Sequence, residues 1–126
     1  MGSGVIFEIG EDGIMILTNQ HVVDNSQELS VILGDEIQAD ATVIGEDADA
    51  DLAVIQIAKE DVPQGIEDSI QAVEFGNSDI LSVGERAIAI GNPLGYNDTV
   101  TVGVISALDR ELQLEISSNG CGYKPR

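Results

Sequence analysis

Ile14-Met15-Ile16-Leu17-Thr18-Asn19-Gln20-His21-Val22-Val23 is the stretch on which the reading of this chain turns. Four apolar residues run into a short polar cluster, and the only histidine of the chain follows at once. The apolar run reads as a buried strand. The polar cluster ends that strand and holds His21 at its mouth. A histidine placed there can act as a general base near neutral pH without a large change in its acidity, provided that the rest of the chain supplies partners for it.

On either side of this stretch the pattern is one of short strands. Val5-Ile6-Phe7-Glu8-Ile9 precedes it, and the Asp12-Gly13 pair between the two is a hairpin signal. Leu29, Val31 and Leu33 share one face of the next strand. Gly34-Asp35 is a second tight turn, and Ile37, Ala39, Ala41 and Val43 alternate with polar residues after it. An acidic run, Glu46-Asp47-Ala48-Asp49-Ala50-Asp51, leads into Leu52-Ala53-Val54-Ile55-Gln56-Ile57, which reads as apolar on both faces and therefore buried. Lys59 to Ser69, with Pro63 and Gly65, reads as a loop. Glu85 to Gly91 is another strand, ended by Asn92-Pro93-Leu94-Gly95. Thr99 to Leu108 is the last strand expected, and residues 117 to 126 show no periodicity. About seven short strands with turn signals between them, and no helix of about ten residues or more, describe an all-β barrel or sandwich.

Composition fits this reading. The 126 residues suit one domain, and 43% of them are hydrophobic, enough for a core at this size. With no Trp, two Phe and two Tyr, the core must be built from Ile, Val, Leu and Ala, which favours strands. The net charge of −18 excludes nucleic acid and anionic membranes as natural partners. A single cysteine, Cys121, excludes a disulfide framework within the chain. No apolar run is long enough to span a bilayer as a helix, and no targeting segment is visible.

The best partner for His21 is Asp51. It opens a strand that is drawn into the interior, where a carboxylate must find a hydrogen-bonding group. A carboxylate beside a histidine fixes the tautomer and stabilises the imidazolium. The other acids of the run lie in a turn and can stay in water. A lone histidine after a strand is more often a plain structural residue, so the context must decide. Asp47-x-Asp49-x-Asp51 looks like the start of a calcium loop, but Leu52 stands where Gly is needed and Ala58 where Glu is needed, so no metal is expected. Asn97-Asp98-Thr99 fits the glycosylation sequon, which matters only in a eukaryotic secretory pathway.

The context resembles a known family. Thr18-Asn19-Gln20-His21-Val22-Val23 is similar to the catalytic-histidine motif of the HtrA (DegP-like) serine proteases. Asp51-Leu52-Ala53-Val54 resembles their catalytic-aspartate motif. Gly76-Asn77-Ser78-Asp79 with Val83-Gly84-Glu85, then Ala89 to Gly95 followed by Thr99 to Ser106, resemble later segments in the same order, and Gly2-Ser3-Gly4 resembles the family's opening. The resemblance covers Gly2 to about Arg110. It implies a trypsin-like double β-barrel, with His21 as the triad base, Asp51 as its orienting partner, and no cofactor. It also implies residues 1–95 as a six-stranded first barrel, and residues 96–126 as the first strand of the second barrel plus a tail.

One departure is large. The family's nucleophile lies in a Gly-Asn-Ser-Gly-Gly motif, and none of the nine serines of this sequence sits in one. The chain therefore reads as a truncated protease, inactive alone, whose parent cleaves unfolded polypeptides outside the cytoplasm, in the periplasm or at the cell surface. The rival is a non-catalytic pseudoprotease or a standalone β-barrel binding module. Val100, Val102, Val104 and Ile105 should be left as an apolar edge, so the fragment is expected to form a homodimer or a strand-swapped assembly.

Overall fold

A computed structural model describes residues 1–25, 27–34, 37–92, 99–108, 112–117 and 120–125 of the chain. The strands are β1 (Gly4–Gly10), β2 (Gly13–Thr18), β3 (Leu29–Leu33), β4 (Ile37–Asp47), β5 (Leu52–Ala58), β6 (Arg86–Gly91), β7 (Thr99–Val104), β8 (Leu112–Ser117) and β9 (Gly120–Pro125). One turn of helix, α1 (Gln20–Val23), follows β2. The architecture is all-β, as the strand pattern predicts. Two compact units divide the chain: Met1–Gly76 with Ile90–Thr99, and Asn77–Ala89 with Val100–Arg126. The boundary expected between residues 95 and 96 lies outside the described residues.

In the first unit, five strands form one antiparallel sheet in the order β1-β2-β5-β4-β3. β5 is central. It pairs with β2 from Gly13↔Ala58 to Thr18↔Ala53, and with β4 from Thr42↔Gln56 to Asp47↔Leu52. The core is aliphatic throughout: Ile14 and Ile16 from β2, Ala53, Ile55 and Ile57 from β5, Ala39 and Ala41 from β4, and Leu33 from β3. The expectation that β5 is apolar on both buried faces is corrected here. Ala53, Ile55 and Ile57 are buried, Val54 is half-buried and Leu52 is exposed, because only one face of the sheet meets the core. On β4 the alternation holds for Ala39 and Ala41 and then fails at Val43, where the register against β5 shifts between Val43 and Gly45. The segment read as a loop contains two 3₁₀ turns, Lys59–Asp61 and Ile66–Asp68, and the second sends Ile66 into the core.

The edge of this sheet is managed. The Val73 N–H donates to the Ile6 carbonyl at 2.9 Å, and Phe75 lies against Phe7 with ring centroids 5.6 Å apart. The 73–75 segment thus covers β1, which would otherwise offer free backbone groups.

In the second unit, the Gly84 N–H donates to the Ile105 carbonyl and the Ile105 N–H to the Glu85 carbonyl, at 2.7 and 2.8 Å. The expectation that Thr99 to Leu108 is the last strand is corrected: β8 and β9 form a further hairpin, with register from Leu112↔Pro125 to Ser117↔Gly120. β8 carries the period-2 alternation of a strand in Leu112, Leu114 and Ile116, whereas Gly120 to Pro125 has none. β6 and β7 pair as a two-stranded ribbon.

Candidate active site

Register builds the site. Thr18↔Ala53 pairs the last residue of β2 with the second residue of β5. Whatever follows Thr18 and whatever precedes Leu52 are therefore neighbours in space. His21 follows Thr18 on α1, and Asp51 precedes β5 by one residue.

Asp51 is aimed by its backbone. Its φ is +53°, in the left-handed region that Asp tolerates better than most residues. Its N–H donates to the Ala48 carbonyl at 3.3 Å. The preceding turn is fixed by Asp47, whose Oδ1 accepts the Asp49 and Ala50 amides at 3.0 and 3.2 Å, an Asx-type turn. The acidic run therefore has a structural task, shaping the turn that presents its last carboxylate.

That carboxylate meets His21 three times. Oδ2 lies 2.7 Å from Nδ1, Oδ1 lies 3.0 Å from Nδ1, and Oδ1 accepts the His21 backbone N–H at 2.9 Å. Asn19 adds a fourth tie, donating from Nδ2 to the Asp51 carbonyl at 3.0 Å. The His21 side chain is 68% exposed and that of Asp51 29%. Asp51 is thus drawn in less far than its place before β5 suggests, since the His21 amide and ring satisfy it near the surface. With Nδ1 engaged by a carboxylate, Nε2 is the ring nitrogen left to exchange a proton.

The Asp51 carboxyl is held below the usual carboxylate range. The largest cause is the His21 amide, then the bond to the His21 ring; burial opposes them, and the His21 charge and the Gln20 amide add to the lowering. A depressed carboxyl stabilises the fold above its unfolded-state value, and that contribution is lost as pH falls through its folded-state value. We expect the Asp51 carboxyl carbon to titrate, by NMR, below a peptide aspartate (about 3.9). The advantage of the native chain over Asp51→Asn in urea unfolding should shrink as pH drops through that midpoint.

His21 lines a cleft of about 370 Å³ with Gly2, Ser3, Asn19, Val22 and Asn92 among its walls. Ser3 shares this cleft, but its Oγ accepts the Asn92 backbone N–H at 2.7 Å, and no bond to His21 is formed among the described residues. The sequence alone does not mark Ser3, Thr18, Asn19 and Asn92 as separate site residues. The polar cluster ahead of His21 and the Gly-Ser-Gly opening are the signals that could have marked the first three.

Known proteins resemble this chain over most of its length. The model of the trypsin-like peptidase domain matches residues 2–123. A probable periplasmic serine endoprotease, DegP-like, of Chlamydia pneumoniae is 48% identical over 114 residues, 90% of this chain and 21% of the relative. The periplasmic serine endoprotease DegP of Escherichia coli K12 is 43% identical over 110 residues, 87% of this chain and 21% of the relative. The structure of the HtrA-type protease AlgW with a decapeptide superimposes with a TM-score of 0.66 at 38% identity, covering 84% of this chain and 29% of that one. The chain spans about a fifth of the length of the curated relatives it matches. With the β-sheet order, the aliphatic core and the family match over nearly every residue, this chain belongs to the trypsin-like peptidase domain family and is similar to DegP- and HtrA-type proteases within it.

Proposed function

We propose that this chain supplies two members of a catalytic triad to an HtrA-like serine endopeptidase, with His21 as general base and Asp51 as the carboxylate that orients it. The observation that carries the reading is the 2.7 Å contact between His21 Nδ1 and Asp51 Oδ2, backed by the His21 amide on Oδ1. In the reaction, Nε2 takes the proton of a serine hydroxyl as that oxygen attacks the scissile carbonyl, then gives it to the leaving amine. Asp51 keeps the proton of the ring on Nδ1 and stabilises the imidazolium. Nothing in the step needs a metal or a cofactor.

The nucleophile and the oxyanion-hole amides belong to a Gly-Asn-Ser-Gly-Gly segment that these 126 residues do not contain. The chain alone is therefore inactive in our reading. A fluorophosphonate probe should leave every serine of the isolated chain unlabelled; a labelled serine overturns the inactivity. The lack of the motif also favours a second reading, a non-catalytic binding module. A gene whose reading frame runs on into Gly-Asn-Ser-Gly-Gly excludes that module, and one that stops without it excludes the protease.

The substrates in this reading are unfolded polypeptides, in keeping with relatives named endoproteases and with a decapeptide-bound neighbour. The place of action is extracytoplasmic, since the relatives are named periplasmic. We assign the isolated chain a homodimeric state. Val100, Val102 and Val104 on β7 are all more than half exposed, an apolar row that water penalises. Ile105, expected in the same row, is half-buried and has its amide bonded to Glu85. Light scattering should give twice the 13.3 kDa chain mass at high concentration, and a monodisperse monomer refutes the assignment.

A further inference from the structure

We propose that the opening segment Gly2-Ser3-Gly4 is a clasp that positions His21, acting through Val22, Thr18 and the Asn92 backbone. α1 needs such help. It is a single turn, too short to hold itself, and the side chain of its N-cap residue Asn19 makes no capping bond, its Nδ2 donating to the Asp51 carbonyl. Its position must come from packing.

Val23 supplies part of that packing through its burial in the core, and Gly2 adds to it at Val22. A Cβ built there would lie 2.6 and 2.9 Å from the two methyls of Val22 and 3.3 Å from its Cβ. Valine is stiff about χ1, and with both methyls in the way a rotation exchanges one clash for the other. Only glycine lets the segment lie this close to the residue that follows His21. Gly4 does the same over β2, where a Cβ would lie 2.6 Å from Ile16 Cγ2.

Ser3, between them, fixes the segment in place. Its carbonyl accepts the hydroxyl of Thr18 at 2.8 Å, and Thr18 is a buried polar residue that must find a partner. Its Oγ accepts the Asn92 N–H at 2.7 Å. One residue thus ties the end of β2, from which α1 springs, to the residue after β6. A fixed Ser3 holds Gly2 against Val22, and Val22 holds the turn that points the His21 amide and ring at Asp51.

The proposal rests on the protease reading only for the use to which His21 is put, and its test reads the geometry directly. Titration of the Asp51 carboxyl carbon and hydrogen exchange of the His21 amide both report the His21–Asp51 contact without substrate. In Gly2→Ala, the Asp51 midpoint should rise toward that of a peptide aspartate and the His21 amide should exchange about tenfold faster or more. Ser3→Ala should move both in the same direction by less, and Ser3→Thr, which keeps the oxygen, should restore them. Ile57→Val, a core truncation, should lower Tm without moving the Asp51 midpoint. The clasp is overturned if Gly2→Ala and Ser3→Ala leave both readouts at native values, or if Ile57→Val moves the midpoint as far. Should Gly2→Ala not fold, the Ser3→Ala and Ser3→Thr pair decides alone. Failure of the protease reading would leave these readouts untouched, so the two ideas fail separately.

Discussion

Under the proposed function, Asp51→Asn should lower kcat by about 10⁴-fold in a protease that joins this chain to a serine-bearing second barrel, with KM nearly unchanged. The argument is one of tautomers. In the native site, Asp51 can only accept, so the proton of the neutral imidazole sits on Nδ1 and Nε2 is free to take the serine proton. An asparagine fills the same space. Its carbonyl can still accept the His21 amide, which binds Asp51 Oδ1 at 2.9 Å, so its NH₂ is turned toward Nδ1. Nδ1 must then accept, the ring proton moves to Nε2, and the base is blocked with its geometry intact. The substitution should cost little stability, because the pair lies near the surface, where ion pairs contribute modestly. A loss of less than tenfold in kcat, or a parallel loss in KM, would remove Asp51 from the role of orienting carboxylate.

The strand pattern makes His21 and Asp51 candidates, and the resemblance of residues 18–23 and 51–54 to protease motifs is what singles them out. A four-residue apolar run ending in Thr18-Asn19 fixes where His21 emerges, and an acidic turn ahead of Leu52 fixes where Asp51 stands. Their contact is a matter of register between β2 and β5, strands separated by more than thirty residues, and no local pattern carries that. The left-handed backbone of Asp51 is equally silent, since asparagine and aspartate visit that region without any neighbouring signal. The same limit applies to the core. Leu33, Ala39 and Ala41 follow the strand period and were legible. Ile66 lies in a Pro- and Gly-containing segment and is carried inward by a 3₁₀ turn that has no hydrophobic period of its own. Ser3 is the clearest loss. Its hydrogen bonds to Thr18 and Asn92 span 15 and 89 residues and depend on where three separate elements end.

Gly13→Ala should remove a large share of the fold's stability, at a cost of about 3–5 kcal/mol against the 5–15 kcal/mol typical of a domain. Gly13 has φ of +125°, which L side chains rarely adopt, and a Cβ there would lie 2.0 Å from the Ile57 carbonyl oxygen and 3.1 Å from the Ala58 carbonyl carbon. Both obstacles are backbone of the central strand β5, which no rotamer change can clear. Relief would need β2 to leave β5 at the Gly13↔Ala58 pair, next to Ile14 and Ile57, the two largest fully buried side chains. The comparison that isolates this clash is Gly65→Ala. Gly65 also has positive φ, +82°, but nothing lies within 4 Å of its added Cβ, so the change should cost only the left-handed penalty of about 1–2 kcal/mol. Urea unfolding of the two variants separates strain from collision. Equal losses would mean that the backbone angle alone matters, and that β2 and β5 are not locked as closely as the carbonyl contact requires. Because β2 delivers Thr18, Asn19 and His21 to the start of β5, a Gly13→Ala chain that did fold with displaced strands should also lose the His21–Asp51 contact, visible as an Asp51 carboxyl titrating like that of a peptide.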